Sequence, residues 1–409
     1  MQVKNKIDRI RNDGGLLERA DKQISGKATM KTVAMLLSNA FRPDPRVHKE
    51  ACSLAQAGYK VTVVSWDRKG ELAPRAQQDG FEVHRIKVRS AYGAGLRQLL
   101  YLPRFWLLVW RELVTLRPDI VHCHDLDTTP VGYAYARLHR IPWVFDAHEA
   151  YPEATTNLQV GCTIHHLLTF LERYMARRAT HILTVGNLLA QRFTAMGARV
   201  SVVGNYSPLS TFTMSSAVTR ADLGINTDDN HLLVVYIGSL LQARAIVPLL
   251  EATQYVNNVT VLLIGDGPQR RMLEARLPDY PQVRYLGGIP LEQVPAYTTL
   301  ADVIYYGLIA ADANNQYSAP NALFNALAAG KPVLALNVGE IAQIVCAEQC
   351  GIVVTRSEPE AIAQAVEQLR EADLRHAMAL NARRAAETKY NWGVAEATLL
   401  DVYAELAAN

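Results

Sequence analysis

From Thr32 to Ser38 the chain reads TVAMLLS, an apolar run of strand length without alternation, which predicts a strand covered on both faces. After a loop, Asp44 and Pro45 supply an N-cap and a first-turn proline for a helix that reaches Ala57 and stops at Gly58. KVTVVSW (60–66) and FEVHRIKV (81–88) read as the next strands, and a helical region follows around Leu96 to Leu116. PDIVHCHD and IPWVFDAHE carry two more strands with a helix between them, and HILTVG and RVSVVGN close the first half near Asn205. The pattern then restarts, with strands in HLLVVYIGS (231–239), VTVLLIGDG (259–267), VRYLGG (283–288), DVIYYG (302–307), PVLAL (332–336) and GIVV (351–354). Alternating strands and helices imply parallel sheets with right-handed crossovers, so the fold is α/β, two doubly wound sheets in series.

The length agrees, because 409 residues exceed one core and fit two domains of about 150 to 200 residues each, with a cleft between them. Hydrophobic residues make up 49% of the chain and charged ones 20%, which excludes a disordered or collagen-like protein. The net charge of +3 resides in residues 1–30, which hold seven Lys or Arg against four Asp or Glu; the rest is formally neutral, and no basic domain for nucleic acid exists. Residues 1–29 lack an apolar segment of secretory type and read as an appended extension, a frayed helix. Five cysteines (Cys52, Cys123, Cys162, Cys346, Cys350) without zinc-type pairs point to reduced thiols and a cytoplasmic location. Cys346 and Cys350 lie four apart, but with no histidine nearby the expectation is no metal.

In doubly wound sheets ligands bind beyond the carboxyl ends of the strands, and those loops hold the unusual residues. After the first strand come Arg42, Arg46 and His48, beside a helix N-terminus whose dipole attracts anions. HCHDLD and DAHEAYPE follow later strands, placing His124, Asp125, His148 and Glu149 on one edge. In the second half Gly238 ends a strand, Arg244 stands near the start of the next helix, and Gly265 and Gly267 flank Asp266 where a backbone can approach a nucleotide. Each feature alone has a bland reading as a turn glycine, a solvated arginine or a core histidine. Their shared position at strand ends of both halves favours a binding site in the cleft.

The segments DPRVHKEACSLAQAGYKVTVVS, DIVHCHDLDTTPVGY, VFDAHEAYPE, ERYMARRATHILTVGNLLAQRF, LLIGDGP, APNALFNALAAGKPVLAL and YNWGVAEATLLDVY occur in this order over about residues 31 to 405. Together they resemble glycosyltransferase family 4, in its bacterial subgroup marked by DPRV and DAHE, with the GT-B architecture of two Rossmann-like domains facing a cleft. The resemblance implies an acceptor-binding domain over 30–208, a nucleotide-sugar donor domain over 209–388, and a C-terminal helix within 389–409 that crosses back to the first domain. It implies a retaining transferase without a metal or cofactor, with a nucleoside diphosphate sugar, UDP or GDP, as co-substrate. The acceptor is a sugar or small molecule, free or lipid-linked; oligomeric state is not read. Arg244 stands where the family sets a basic residue against the donor diphosphate, Gly265, Asp266 and Gly267 match the loop near the base, and His124 or His148 matches the histidine beside the reacting sugar. Asp125 and Glu149 are candidates for orienting the acceptor hydroxyl, Arg42 and Arg46 for the diphosphate or acceptor loop, and Gly238, Ser239, Pro320, Asn321 and Asn325 for the donor. Mechanistically the resemblance implies a front-face displacement in which the departing diphosphate helps deprotonate the acceptor.

The chain also departs from that pattern. Two family glutamates seven residues apart in the intervening sequence are Tyr317 and Asn325 here, and two basic positions are Ser239 and Ala322. An amide can still hydrogen-bond a ribose, without the stronger charge-assisted bond. A catalytically altered or inactive homologue that binds nucleotide sugar, a partner subunit, and a nucleotide-sugar epimerase therefore stay open beside the transferase. Asp125 to Asp127 (DLD) resembles a metal-binding DxD motif, though an aspartate capping the next helix is the simpler account. LRQLLYLPRFWLLVWRELVTLR (96–117) joins Leu, Phe and Trp to Arg97, Arg104, Arg111 and Arg117. It reads as a core helix with solvated arginines, or as a peripheral contact with the inner membrane; Pro103 and the charges oppose a spanning helix.

Overall fold

Two parallel sheets built from β-branched and leucine-rich runs carry the chain. The computed structural model describes residues 30–42, 44–90, 100–155, 161–213, 218–228, 230–310 and 313–408. The extension 1–29, and Leu96 to Leu99 of the expected helical region, lie outside the described residues. The first sheet comprises β1 (Thr32–Leu37), β2 (Lys60–Asp67), β3 (Arg75–Gln78), β4 (Phe81–Lys87), β5 (Ile120–His124), β6 (Trp143–Ala147), β7 (His181–Thr184) and β8 (Val200–Val202), in the order β3-β4-β2-β1-β5-β6-β7-β8. The second comprises β9 (Leu232–Ile237), β10 (Val259–Ile264), β11 (Val283–Gly287), β12 (Val303–Tyr306), β13 (Val333–Leu336) and β14 (Gly351–Val354), in the order β11-β10-β9-β12-β13-β14.

Within the described residues every pairing is parallel except β3 with β4. That hairpin was not predicted, although its turn is the dipeptide Asp79-Gly80, whose φ values of 43° and 92° fit a two-residue hairpin turn with both central residues left-handed. Short, polar and at the edge, β3 lacks the apolar run by which the other strands are recognised. The winding direction reverses between β1 and β5 in the first sheet, and between β9 and β12 in the second. Chain segments leaving these neighbours diverge to opposite faces, which opens a crevice at each switch point.

Buried apolar residues from both sheets merge into one cluster, in which Tyr206 of the interdomain segment packs edge-on against Phe324 at 4.7 Å between ring centroids. The other face of the second sheet has its own core, including Tyr236, Leu263 and Tyr305. Helix Leu102–Leu116 buries Leu102, Phe105, Val109 and Leu113 against the first domain, with Phe105 stacked on Trp66 at 4.6 Å. No described helix is long and apolar enough to cross a membrane. All five cysteines are free thiols.

The last helix, Trp392–Ala408, leaves the second domain and lies on the first: Trp392 Nε1 donates to Ser53 Oγ at 3.2 Å, and the Tyr403 hydroxyl lies 2.8 Å from Nδ1 of the fully buried His122. Removing that hydroxyl leaves a buried ring nitrogen without its partner, at a cost of about 1–3 kcal/mol. Tyr403→Phe is therefore expected to lower the unfolding free energy from urea titration by that amount while leaving the far-UV dichroism unchanged.

Candidate active site

Strand β6 is buried at all five positions, yet its fourth residue is an aspartate. Asp146 is tolerated there because its carboxylate is fully engaged: Oδ2 accepts from Arg46 Nε at 3.0 Å, lies 2.9 Å from His124 Nδ1 and lies 2.8 Å from His148 Nε2, while Oδ1 accepts from Arg46 Nη2 at 2.5 Å. Burial alone would push Asp146 up, but Arg46 and His148 outweigh it and hold the carboxyl well below its usual range. Arg46 in turn reaches Glu50 Oε1 at 3.1 Å and the Val203 carbonyl. Burial disfavours its charge, and the two carboxylates more than offset that.

Arg46 thus has a structural task rather than the anion-binding one expected for it, since its guanidinium is spent on Asp146, Glu50 and a carbonyl. Glu50, His122, His124 and Asp146 bring ligand-type atoms within 4.8 Å of one another. The positive charge that such a group needs is already supplied by Arg46, so it reads as a counter-ion cluster.

The two candidate histidines separate sharply. His124 is fully buried; burial first, and its stacked neighbour His122 second, push it down to about 3, so the ring is neutral. His148 sits at the cavity wall with Nε2 on Asp146 and Nδ1 3.4 Å from Asp125 Oδ2. Burial opposes its charge, but the two carboxylates raise it to about 10, making it an imidazolium. Asp125 supports this ring in a second way: held at φ 59°, it accepts the His148 backbone N–H on Oδ1 at 3.1 Å. It does not cap the following helix, as the simpler reading of DLD had it. Burial raises the Asp125 carboxyl to about 6 against the pull of His148.

The cavity between the domains has a volume of about 520 Å³. It gathers His148, Glu149, Gly238, Ser239, Arg244, Pro320, Asn321 and Asn325 from the candidates, and leaves out His124, Asp125, Gly265, Asp266, Gly267, Arg42 and Arg46. Gly265 and Gly267 pack under the loop after β9: a Cβ on Gly265 would meet the Gly238 carbonyl oxygen at 1.8 Å, and one on Gly267 the Leu240 nitrogen at 2.7 Å. Asp266 is exposed and accepts the Gly267 N–H at 2.8 Å. Arg42 pairs with Glu71 at 2.6 Å in a separate hollow on the first domain, which Arg68 and Lys69 also line.

Arg244 ends a short turn (Gln242–Arg244) and lies over Tyr306, its guanidinium carbon 5.1 Å from the ring centre. Its Nε and Nη1 are buried and have no hydrogen-bond partner. Buried charged donors are not left so without cost, and the cavity that Arg244 lines is the place for an anion. Helix Asn321–Ala328 adds to this, since Asn321 and Ala322 line the same cavity and no side chain caps its first turn.

Three residues that sequence reasoning passed over line or brace the walls. Asn314 accepts from Ala150 N at 3.0 Å and donates to Glu149 Oε2 at 3.3 Å, fixing the candidate acid from the opposite domain. Ser207 donates to Asn325 Oδ1 at 2.6 Å, and Asn205 Nδ2 donates to the Ala319 carbonyl at 3.2 Å. Asparagine and serine in loops carry no sequence signal of such pairings. Asp146 did carry one, as a charge inside an otherwise apolar strand.

The folded-state value of His148 lies above the ordinary 6.5, so the stability it confers is whole below pH 6.5 and lost as pH rises through about 10. Imidazole NMR should show His148 doubly protonated to about pH 10 and His124 neutral down to about pH 3. The stability deficit of His148→Gln, measured by denaturant titration, should be present at pH 6 and close near pH 10.

Known proteins agree with this architecture. Residues 43–205 match the glycosyl transferase 4-like domain and residues 231–372 match glycosyl transferases group 1. The chain is 24% identical over 379 residues to the D-inositol 3-phosphate glycosyltransferase of Gordonia bronchialis, covering 87% of this chain and 82% of that one. It is 25% identical over 324 residues to the lipopolysaccharide core biosynthesis glycosyltransferase LpsD of Rhizobium meliloti, covering 76% and 82%. Among solved structures, the sucrose-phosphate synthase of Thermosynechococcus elongatus superposes with a TM-score of 0.76 at 18% identity, over 92% of this chain and 99% of that one. HepE of Anabaena, in complex with UDP, superposes with a TM-score of 0.69 at 16% identity, over 92% and 100%. With both halves of the cleft matched to transferase domains in the right order, the chain belongs to the GT-B glycosyltransferases, in the family-4-like group.

Proposed function

We propose that the chain moves a glycosyl group, with retention, from a nucleoside diphosphate sugar held on the second domain to a hydroxyl of an acceptor held on the first. The observation that carries this is Arg244: it lines a cavity that also receives the start of a helix, and two of its guanidinium nitrogens are buried without partners. Both features attract a diphosphate. As the bond from the anomeric carbon to the diphosphate oxygen breaks, charge accumulates on that oxygen, and a fixed guanidinium stabilises the charge more than it does the bound substrate. The acceptor oxygen forms the new bond on the same face, and its proton passes to the departing diphosphate.

On the first domain, Glu149 orients the acceptor hydroxyl, held in turn by Asn314. His148 is a fixed cation with both ring nitrogens committed to carboxylates, so its part is electrostatic rather than that of a general base. HepE, a structural neighbour, is described in complexes with UDP and with UDP-glucose, which favours UDP among the candidate nucleotides here. Asn325 takes the ribose side of the site, with its Oδ1 already engaged by Ser207. Reduced thiols throughout fit the cytoplasm.

Thermal shift against uridine, guanosine, adenosine, cytidine and thymidine diphosphates tests the reading, because a bound nucleotide must raise the midpoint. One diphosphate, UDP first among them, should do so, and Arg244→Ala should weaken its binding by about 1.5–3 kcal/mol, tenfold to a hundredfold. An unchanged affinity in that variant rejects the role of Arg244. Release of UDP from UDP-glucose should proceed at the same rate with EDTA present; abolition by the chelator defeats the metal-free mechanism.

A further inference from the structure

Glu340 is the second residue of helix Gly339–Ala347 in the second domain, and only 2% of it is exposed. Its carboxylate crosses to the first domain. Oε1 accepts the Asn187 N–H at 2.8 Å and Oε2 the Leu188 N–H at 2.7 Å, the first two free donors of helix Asn187–Ala195. Among the described residues this carboxylate is bonded by those two backbone N–H groups, so the helix end is its counter-charge. The fit is close on both sides: a Cβ on Gly186 would lie 2.9 Å from Glu340 Cδ, and one on Gly339 would lie 2.0 Å from the Gln316 carbonyl oxygen.

The contact adjoins the cavity wall in each domain. Val185, next to Gly186, lines the cavity, and so does Tyr317, next to Gln316. We infer that Glu340 is a positioning residue, a clasp that holds the two domains at the separation at which Arg244 faces His148 across the donor cavity. The inference rests on the reading of that cavity as the donor site.

Charge-assisted bonds to a helix terminus are strong enough to favour a closed arrangement, and both partners are solvated readily once apart. A buried carboxylate stripped of those donors has no other stabilisation. Opening therefore releases all of the contact together, as a two-state element requires. A closed state that is only fractionally populated lowers apparent affinity by that fraction.

Two substitutions on opposite domains test this in the full chain. Glu340→Gln removes the charge; Gly186→Ala displaces the carboxylate from the other side. Both are expected to enlarge the ligand-free radius of gyration in small-angle scattering and to weaken UDP binding, measured by calorimetry, by about fivefold to tenfold. Saturating UDP should restore the wild-type radius in both, which a merely structural defect would not allow. A radius and an affinity that stay at wild-type values in both variants overturn the clasp. So does an enlarged radius with unchanged affinity, which would uncouple domain separation from the cavity. If wild-type protein binds none of the nucleoside diphosphates, the donor reading fails, and the ligand-free radius alone still decides whether Glu340 holds the domains together.

Discussion

One buried carboxylate governs the first-domain half of this site. Asp146 stands in the middle of an apolar strand and would be intolerable there alone, because removing a carboxylate from water costs several kcal/mol. Arg46 answers it from the helix after β1, and His124 and His148 answer it from the ends of β5 and β6. Three neighbouring strand ends are thereby tied to one oxygen-rich point. The consequence at the cavity is a single orientation for His148, whose second nitrogen is then met by Asp125. Packing alone would leave that ring free to turn.

The second domain uses the opposite device. Its wall carries little fixed charge: Arg244 is the arginine there, and the neighbouring positions Ser239, Ala322 and Asn325 are neutral. What the wall offers instead is backbone, in the first turn of helix Asn321–Ala328 and in the glycine-padded loop after β9. A charged network faces a wall of helix end and lone guanidinium, and the cavity lies where these unlike surfaces meet. Asn314 with Glu149 and Ser207 with Asn325 bridge the two surfaces directly.

Strand runs and their succession along the chain were legible in the sequence, because a strand buried on both faces must be continuously apolar and few other segments are. Hairpin strand β3 escaped for the complementary reason: its RAQQ sequence lies at a sheet edge and needs no apolar run. Of the site, residues at strand ends were legible by position, but their depth was not. His124 and His148 share a motif neighbourhood and differ by one being sealed in the core and the other lining the cavity. Arg46 and Arg244 are both arginines near helix starts, yet one is spent on buried carboxylates and the other retains unpartnered nitrogens.

By itself the amino-acid sequence determined the alternation of strand and helix, hence two doubly wound sheets, hence the edges where chemistry can occur; these follow from local periodicity and turn residues, which act over a few positions. Which charges face the cleft, which are neutralised within a domain, and which residue reaches across to the other domain were decided only by tertiary structure. Glu340 and Asn187 are 153 positions apart, and Arg46 and Asp146 are 100 apart. Such pairs are set by how layers stack and twist, and electrostatic energy depends on the distance and burial that result rather than on sequence spacing.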